Sequence, residues 1–239
     1  MTGALYIHET MRITIEHRKR YLEHFCSWIP IGIRQYGMPC FGVWATVGST
    51  GEVPEALCMW ELDDVEALGH MMSGEFEYLV SETPHIGDHF DTYWGNVPDL
   101  KPVDSFDRLL IATERTPTIT EALAAGLGGD GYYHETMTSP PGMIDDFLRR
   151  YEDEFLPLAE DHGLRFVGAY RTAMRNDTEG IALWALPTWN AVTVFERGLR
   201  RDDRAVAWRK WTADAGVSWI GKLLIPAENS PLVTRRLEP

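Results

Sequence analysis

The chain has 239 residues, a net charge of −14, and apolar and charged fractions typical of globular proteins, a length that suits one large domain or two small ones. The negative charge argues against nucleic acid and against an anionic membrane face as partners, because both select a basic surface. No apolar run approaches the roughly 20 residues that a membrane helix needs.

The cysteines and the first residues favour a cytoplasmic protein. Cys26, Cys40 and Cys58 are odd in number and lack CxxC spacing, which is typical of reduced core thiols in a cytosolic protein. The first residues form a strand-like segment, with no basic region followed by an apolar one, so they predict no signal peptide.

A strand motif near the beginning of the chain occurs again in its second half. Tyr-Ile-His-Glu-Thr-Met at 6–11 returns as Tyr-Tyr-His-Glu-Thr-Met at 132–137, an offset of 126 residues. At the same offset, Gly42-Val-Trp-Ala-Thr46 matches Gly168-Ala-Tyr-Arg-Thr172. Matches in one order along both halves predict a tandem duplication. The predicted modules span 1–117 and 131–239, with a linker at 118–130.

The elements of each copy follow the same order. A strand at 4–12, or at 131–138, precedes a helix with apolar residues at a period of 3.6. Pro30 and Pro157 lie late in these helices and should bend or loosen their last turns. Gly37 and Gly163 are predicted to end the helices, because glycine adopts the left-handed conformation cheaply.

Two strands joined by a turn, a second helical region and a last strand complete each copy. The order β-α-β-β-α-β predicts two ferredoxin-like modules in an α+β protein. The predicted ranges are 41–47, 56–62, 64–94 and 108–113 in the first copy, and 166–173, 180–186, 189–213 and 222–225 in the second. A ferredoxin-like sheet carries helices on one face only, so the two open faces should pack sheet to sheet and enclose a space.

The second half resembles a known family. The stretches Leu-Pro-Leu-Ala-Glu-Asp-His-Gly-Leu-Arg-Phe-Val-Gly-Ala-Tyr (156–170) and Leu-Trp-Ala-Leu (183–186) are similar to the NIPSNAP family, with good agreement over 131–232 and weaker agreement over 4–117. The resemblance implies a dimeric α+β barrel with a central cavity. Relatives in that wider group include cofactor-free monooxygenases, lactone isomerases and haem enzymes such as chlorite dismutases, so the fold alone selects no chemistry.

The repeated His-Glu pairs are the candidate catalytic residues: His8, Glu9, His134 and Glu135. Side chains alternate along a strand, so one member of each pair faces the helices and the other faces the opposite side of the sheet. Leu5 and Ile7 favour the inward orientation for His8, whereas the second copy leaves the choice open. A histidine in an apolar cavity can act as a general base; equally, each histidine could bond across the sheet and fix its register.

Three further histidines have structural and functional interpretations. His85 and His89 form H-x-x-x-H, which on a helix could hold a metal ion, although Pro84 and Gly87 favour a polar loop or lid over the cavity. We therefore predict no metal site. His162 precedes Gly163 and suits a helix C-terminus. Haem needs one well-placed histidine, so His8, His134 and His162 all remain candidate ligands.

Aromatic residues at matched strand positions are candidate pocket walls, although they suit a core equally well. Arg171 is the one strand cation suited to an anion, unless it is simply exposed. The predicted pocket residues are Tyr6, Tyr132, Trp44, Tyr170, Trp60, Trp184 and Arg171.

These features lead to three functional hypotheses. The first is an enzyme without organic cofactor that uses a histidine to move a proton on a hydrophobic cyclic or aromatic substrate, as an isomerase, a lyase or a cofactor-free monooxygenase. The second is a non-catalytic NIPSNAP-like binding or interaction protein. The third is a haem enzyme of the chlorite-dismutase kind. A homodimer is compatible with all three.

Overall fold

A computed structural model describes residues 4–51, 55–80, 100 and 103–233. Eight strands lie in this part of the chain, in the order predicted for the two halves. Their bounds are β1 Leu5–Arg12, β2 Cys40–Thr46, β3 Glu55–Leu62, β4 Asp104–Ala112, β5 Gly131–Thr138, β6 Arg165–Thr172, β7 Glu179–Leu186 and β8 Ser218–Pro226.

Eight α-helices connect these strands within the described residues, and none of them is long and apolar enough to cross a membrane. They are α1 Arg18–Ser27, α2 Ile29–Ile31, α3 Val65–Val80, α4 Ile119–Ala124, α5 Ile144–Arg150, α6 Leu156–Asp161, α7 Asn190–Leu199 and α8 Asp203–Asp214. The remainder of the first copy's predicted second helical region, including His85 and His89, lies outside the described residues.

The strands form one closed antiparallel barrel in the order β1-β3-β2-β8-β5-β7-β6-β4. Within the first half the spatial order is β4-β1-β3-β2, and the second half has the corresponding order β8-β5-β7-β6. Short ladders between β2 and β8 and between β4 and β6 join the halves. The two sheets therefore continue into each other along both sides.

The long helices of both halves are broken beside their prolines, as predicted. Pro30 lies in α2 and is followed by a π-helical turn at Gly32–Tyr36, while Pro157 is the second residue of α6, which follows a π-helical turn at Tyr151–Phe155. Proline lacks an N–H and its ring crowds the preceding turn, which disrupts the regular ladder. Gly37 and Gly163 have φ values of 64° and 92° at the helix ends, in agreement with their predicted role.

The linker and the last helical region differ from the sequence expectation. The linker contains α4, which begins with a reciprocal capping box between Thr118 and Glu121. That T-x-x-E signal is visible in the sequence and predicts a helix start. The region predicted at 189–213 is two helices, because the Asp202 side chain accepts a hydrogen bond from the Arg204 backbone and begins α8 anew.

Three apolar clusters fill the fold. One lies inside the barrel and contains Tyr6, Trp44, Tyr132 and Tyr170. The other two lie between the outer face of the barrel and the helices, one in each half. Side chains therefore alternate along β1 and β5 between the barrel interior and the helix layer.

Candidate active site

His8 and His134 meet inside the barrel. Their Nε2 atoms are 3.0 Å apart, and the two side chains are 1% and 2% exposed. Both strands thus present histidine inward, which confirms the inward orientation derived for β1 and settles the open choice in β5. One ring must donate and the other accept, so a neutral pair with complementary tautomers satisfies the contact.

Positive charges flank the histidine pair. His8 lies directly opposite Arg108 on β4, and His134 lies directly opposite Lys222 on β8. Burial lowers the pKa of His8 to about 3, and the two cations contribute to that shift. Burial, His8 and the same cations lower the pKa of His134 well below its usual value. The pair is therefore neutral at pH 7.

Each of these cations is paired with a glutamate from the other half. Arg108 Nε contacts Glu179 Oε1 at 2.8 Å, and the Lys222 ammonium contacts the Glu55 carboxylate. Glu55 and Glu179 are the first residues of β3 and β7, which occupy corresponding places in the two halves. The ion pairs and the histidine pair therefore tie the halves together across the barrel.

Four of the residues predicted to line a pocket fill the barrel instead. Tyr6, Trp44, Tyr132 and Tyr170 are each at most 1% exposed. Their rings contact one another edge to face, with centroids 5.0 Å apart for Tyr6 and Tyr170 and 5.4 Å for Trp44 and Tyr132. The space expected between the halves is thus occupied by their own side chains, because bulky rings enter the barrel from both halves.

A cavity of about 530 Å³ lies on the opposite side of the sheet, between the first-half strands and helices. Its floor is formed by β1, β3 and β4, and its walls come from α1, the π-helical turn and α3. This volume lies in the range of small-molecule sites, and its lining is mainly apolar, as in such sites. Of the predicted pocket residues, Trp60 lines it.

Methionine and aromatic side chains make up much of this lining. Five of the nine methionines contact the cavity, and they are joined by Phe25, Trp28, Tyr36 and Trp60. Methionine is flexible and polarisable, and its sulfur contacts aromatic rings favourably. The wall therefore suits flat, ring-containing ligands of varied outline. The methionines are Met11, Met38, Met71, Met72 and Met174.

Two carboxyl groups lie on the cavity floor. Glu9 and Asp107 are directly opposite each other on β1 and β4, and both line the cavity. Glu9 Oε2 accepts hydrogen bonds from Trp60 Nε1 at 2.7 Å and from Cys58 Sγ at 2.6 Å. Burial raises the pKa of Asp107, so this carboxyl group takes up a proton more readily than an ordinary aspartate.

The matched residue Glu135 has a different environment. It is 2% exposed and accepts hydrogen bonds from Tyr151 and Trp184. Burial raises its pKa, and these two donors oppose that shift. Glu135 is thus enclosed by its partners beside a cavity of only about 230 Å³, whereas Glu9 is half-buried on the floor of the larger first-half cavity. The same sequence motif supplies one structural carboxyl group and one that a ligand can reach.

The remaining predicted residues lie away from the cavity. Trp184 is buried in the helix-side core of the second half. Arg171 faces outward and pairs with Asp145 and Asp177. His162 bonds Asp202 Oδ2 through Nε2 at 3.1 Å, where it follows α6 as a C-terminal residue.

The candidate haem ligands do not fit that role. Within the described residues, the cavity lining includes no histidine and no cysteine. His8 and His134 face each other in a filled barrel, and His162 is paired with Asp202. The described residues also contain no group of three histidine, cysteine or acidic side chains placed to hold a metal ion. All three cysteines are free and buried, as expected from their spacing.

Sequence reasoning missed Asp107 and the methionines. The last strand of the first half was predicted to begin at Arg108, whereas β4 begins at Asp104. Alternation of Ser105, Asp107 and Leu109 with Phe106 and Arg108 could have extended that strand and placed Asp107 on the helix side. The methionines come from four separate segments, so no local pattern brings them together.

Comparisons with known proteins identify the fold. No family model and no curated protein matches the sequence. An anthrone oxidase-like protein superposes with a TM-score of 0.64 at 12% identity, covering 99% of this chain and 96% of that chain. A candidate monooxygenase from Fusobacterium nucleatum subsp. nucleatum gives 0.59 at 8% identity, covering 95% and 93%. Another, from Lactobacillus acidophilus NCFM, gives 0.57 at 10% identity, covering 94% of each chain.

At these identities the likeness concerns the fold alone. The chain shares with these proteins a mixed α+β architecture, here built on an eight-stranded antiparallel barrel. The predicted dimeric α+β barrel architecture is therefore confirmed as a fold, and only as a fold.

Proposed function

We propose that this protein is an enzyme that moves a proton on a hydrophobic cyclic or aromatic small molecule, without an organic cofactor, and that Glu9 is the proton acceptor. The observation that carries the proposal is the Glu9 carboxylate, held by Trp60 and Cys58 on the floor of an apolar cavity of about 530 Å³. The base differs from the histidine expected from sequence, because His8 and His134 lie on the other side of the sheet.

The arrangement supports a simple proton-transfer sequence. The C–H bond of the bound ring compound breaks, its proton passes to Glu9, and the electron pair delocalises into the ring system. Return of a proton to a different carbon gives an isomer, and no further reactant is consumed. Asp107 lies directly across the strand pair, and burial raises its pKa, so it is suited to supply that proton. Glu9 then releases its proton to water and Asp107 takes one up from water, which restores both carboxyl groups. The bonds to Glu9 Oε2 fix the orientation of the carboxylate.

Removing the charge of Glu9 tests this mechanism. We expect the wild-type protein to accelerate deuterium incorporation at the acidic C–H position of 2-tetralone in D₂O, monitored by NMR. Glu9→Gln should reduce that rate at least about 100-fold, the usual contribution of a positioned general base. Binding of 2-tetralone, followed by tryptophan fluorescence, should change little, because the amide keeps the shape of the side chain.

Two other results would decide against this assignment. Exchange that is equally fast in Glu9→Gln would exclude Glu9 as the base. Binding without any acceleration by the wild-type protein would favour the non-catalytic binding function instead. Asp104→Asn, which changes an exposed carboxylate of the same strand as Asp107, is the matched control and should leave the exchange rate unchanged.

Blocking the cavity gives a second test that is independent of chemistry. Leu68 lines the cavity from α3, so Leu68→Trp should fill part of it and weaken 2-naphthol binding at least about tenfold, which corresponds to about 1.4 kcal/mol. Val65→Trp places the same ring on an exposed position of the same helix and should leave affinity unchanged. Isothermal titration calorimetry measures both. Equal weakening by the two variants would show that the ligand binds elsewhere.

We also propose that the two halves, 1–117 and 131–239, arose by tandem duplication of a ferredoxin-like unit of the NIPSNAP kind. The repeated Tyr-x-His-Glu-Thr-Met motif and the corresponding strand orders support this origin.

A cytoplasmic location and a small hydrophobic substrate as the partner complete the proposal. A homodimer is compatible with it, and analytical ultracentrifugation would test that point.

A further inference from the structure

Four matched positions distinguish the second half from the cavity-bearing first half. Tyr133 stands where the first half has Ile7, Gly221 where it has Asp107, and Tyr151 where it has Phe25. Trp219 likewise replaces Ser105. Strand register supports the equivalence, since Ile7 pairs with Leu109 and Tyr133 pairs with Leu223. Three of these changes place a large ring where the first half has a smaller or less polar group.

The second half contains two small cavities in place of one large cavity. Their volumes are about 260 Å³ and about 230 Å³, each roughly half that of the first-half cavity. Tyr133, Phe195, Glu196 and Trp219 line both of them and therefore form the wall between them. The rings of Tyr133 and Phe195 lie in contact, with centroids 5.9 Å apart. Each space alone is below the usual size of a small-molecule site.

Gly221 is required for this wall. A Cβ atom at Gly221 would clash with the ring and hydroxyl group of Tyr133. The aspartate found at the matched position of the first half is therefore incompatible with the tyrosine in this orientation. The Tyr133 ring therefore lies directly over Gly221, the residue that pairs with Glu135 across the two strands. The observed orientation of the Tyr133 ring therefore requires a glycine at position 221.

We propose that the second half contains a counterpart of the first-half ligand cavity that Tyr133 closes, so that the protein has one open and one closed site. The ligand class of the closed site, a flat apolar ring compound, rests on the proposed function of the open one. Opening requires the tyrosine ring to leave the wall that it forms with Phe195, Glu196 and Trp219 between the two small cavities. The carboxyl group beneath it is Glu135, which corresponds to Glu9.

The number of 2-naphthol molecules bound by the full-length chain tests this proposal. In isothermal titration calorimetry the wild type should bind one, and Tyr133→Ile, which introduces the residue type of the first half, should bind two. In the Leu68→Trp background, where binding to the open cavity is weakened at least about tenfold, Tyr133→Ile should add one site of higher affinity. Tyr133→Phe keeps the ring while removing its hydroxyl group, so it should bind one molecule, as the wild type does.

The outcomes separate this inference from the proposed function. Wild-type protein that binds no 2-naphthol would contradict the open site, while gain of one bound molecule in Tyr133→Ile would still support the closed one. A folded Tyr133→Ile variant whose stoichiometry equals that of the wild type would overturn the closed site. If Tyr133→Ile does not fold, Tyr133→Leu, which fills more of the space, is judged by the same count. Two bound molecules in Tyr133→Phe would also overturn the role of the ring.

Discussion

Acidification from pH 7 to pH 5 should destabilise the protein, by about 2 kcal/mol through His8 and by a further contribution of the same sign through His134. Both histidines have a pKa in the folded protein that is below the usual value, at about 3 for His8. Below about pH 6.5 these two histidines therefore bind more protons in the unfolded chain than in the folded chain. The stability that the neutral pair provides is complete above that pH and decreases as the pH falls.

Buried carboxyl groups oppose this trend. Burial raises the pKa values of Glu61, Asp107, Glu135 and Glu152, so the folded protein binds their protons first and gains stability as the pH falls. The histidine contribution is therefore isolated by comparing urea unfolding of the wild type with that of a His8→Leu/His134→Leu double variant at both pH values. The double variant should lose most of the acid destabilisation.

The same variants measure the contact between the two rings. His8→Leu alone leaves His134 buried without its partner, which costs about 1–3 kcal/mol. Replacing both removes the polar groups together, so the double variant should be more stable than either single variant. His70→Asn, at an exposed position, is the control and should leave the acid dependence unchanged. If the losses in free energy of unfolding of the two single variants sum to the loss of the double variant, the contact contributes nothing to stability.

Glu135→Ala should destabilise the protein by about 3–5 kcal/mol, whereas Glu9→Ala should cost about 1 kcal/mol. Loss of Glu135 leaves the donors of Tyr151 and Trp184 in the second-half core without this acceptor. Glu9 lies on a cavity, and water can replace its contacts with Trp60 and Cys58. The free energy of unfolding in urea at pH 7 measures both.

The two glutamates occupy the same place in the repeated motif, so each is the matched control of the other. Equal losses would contradict the assignment of a structural role to Glu135 and a ligand-facing role to Glu9. Glu135→Gln gives a further check, since the amide can still accept from one or two donors. It should fall between the wild type and Glu135→Ala.

The order of the elements was predictable from sequence because it depends on local periodicity and on glycine and proline. Leu5 and Ile7 indicated the inward orientation of His8 correctly, since alternation is a property of one strand. In β5, Tyr132 and Tyr133 are both large and apolar, so alternation alone could not assign the faces. The structure resolves this because Tyr132 packs in the barrel while Tyr133 lies over Gly221.

The location of the candidate site could not be predicted, because it depends on where side chains from distant segments leave space between them in the folded protein. Aromatic residues at matched positions suggested a pocket between the halves, but Trp44 and Tyr170 are fully accommodated inside the barrel. The cavity exists on the helix side because small or flexible residues such as Ile7 and Met71 meet there from distant segments. Glu9 was identified from the motif, whereas its difference from Glu135 required the neighbours supplied by other strands and helices.

Closure of the barrel also limits how this chain can associate. Because β2 pairs with β8 and β4 pairs with β6, every strand has a hydrogen-bonded neighbour on both sides. Over the three residue pairs of each of these ladders, the barrel offers no unpaired strand edge to which another polypeptide could add. Among the described strands, 104–108 of β4 and 218–222 of β8 lie beyond these ladders and are paired on one side only. A second copy of this chain that extends the sheet through its main chain would therefore have to add at segments of this kind, and elsewhere it would dock through side chains of the outer helices and loops.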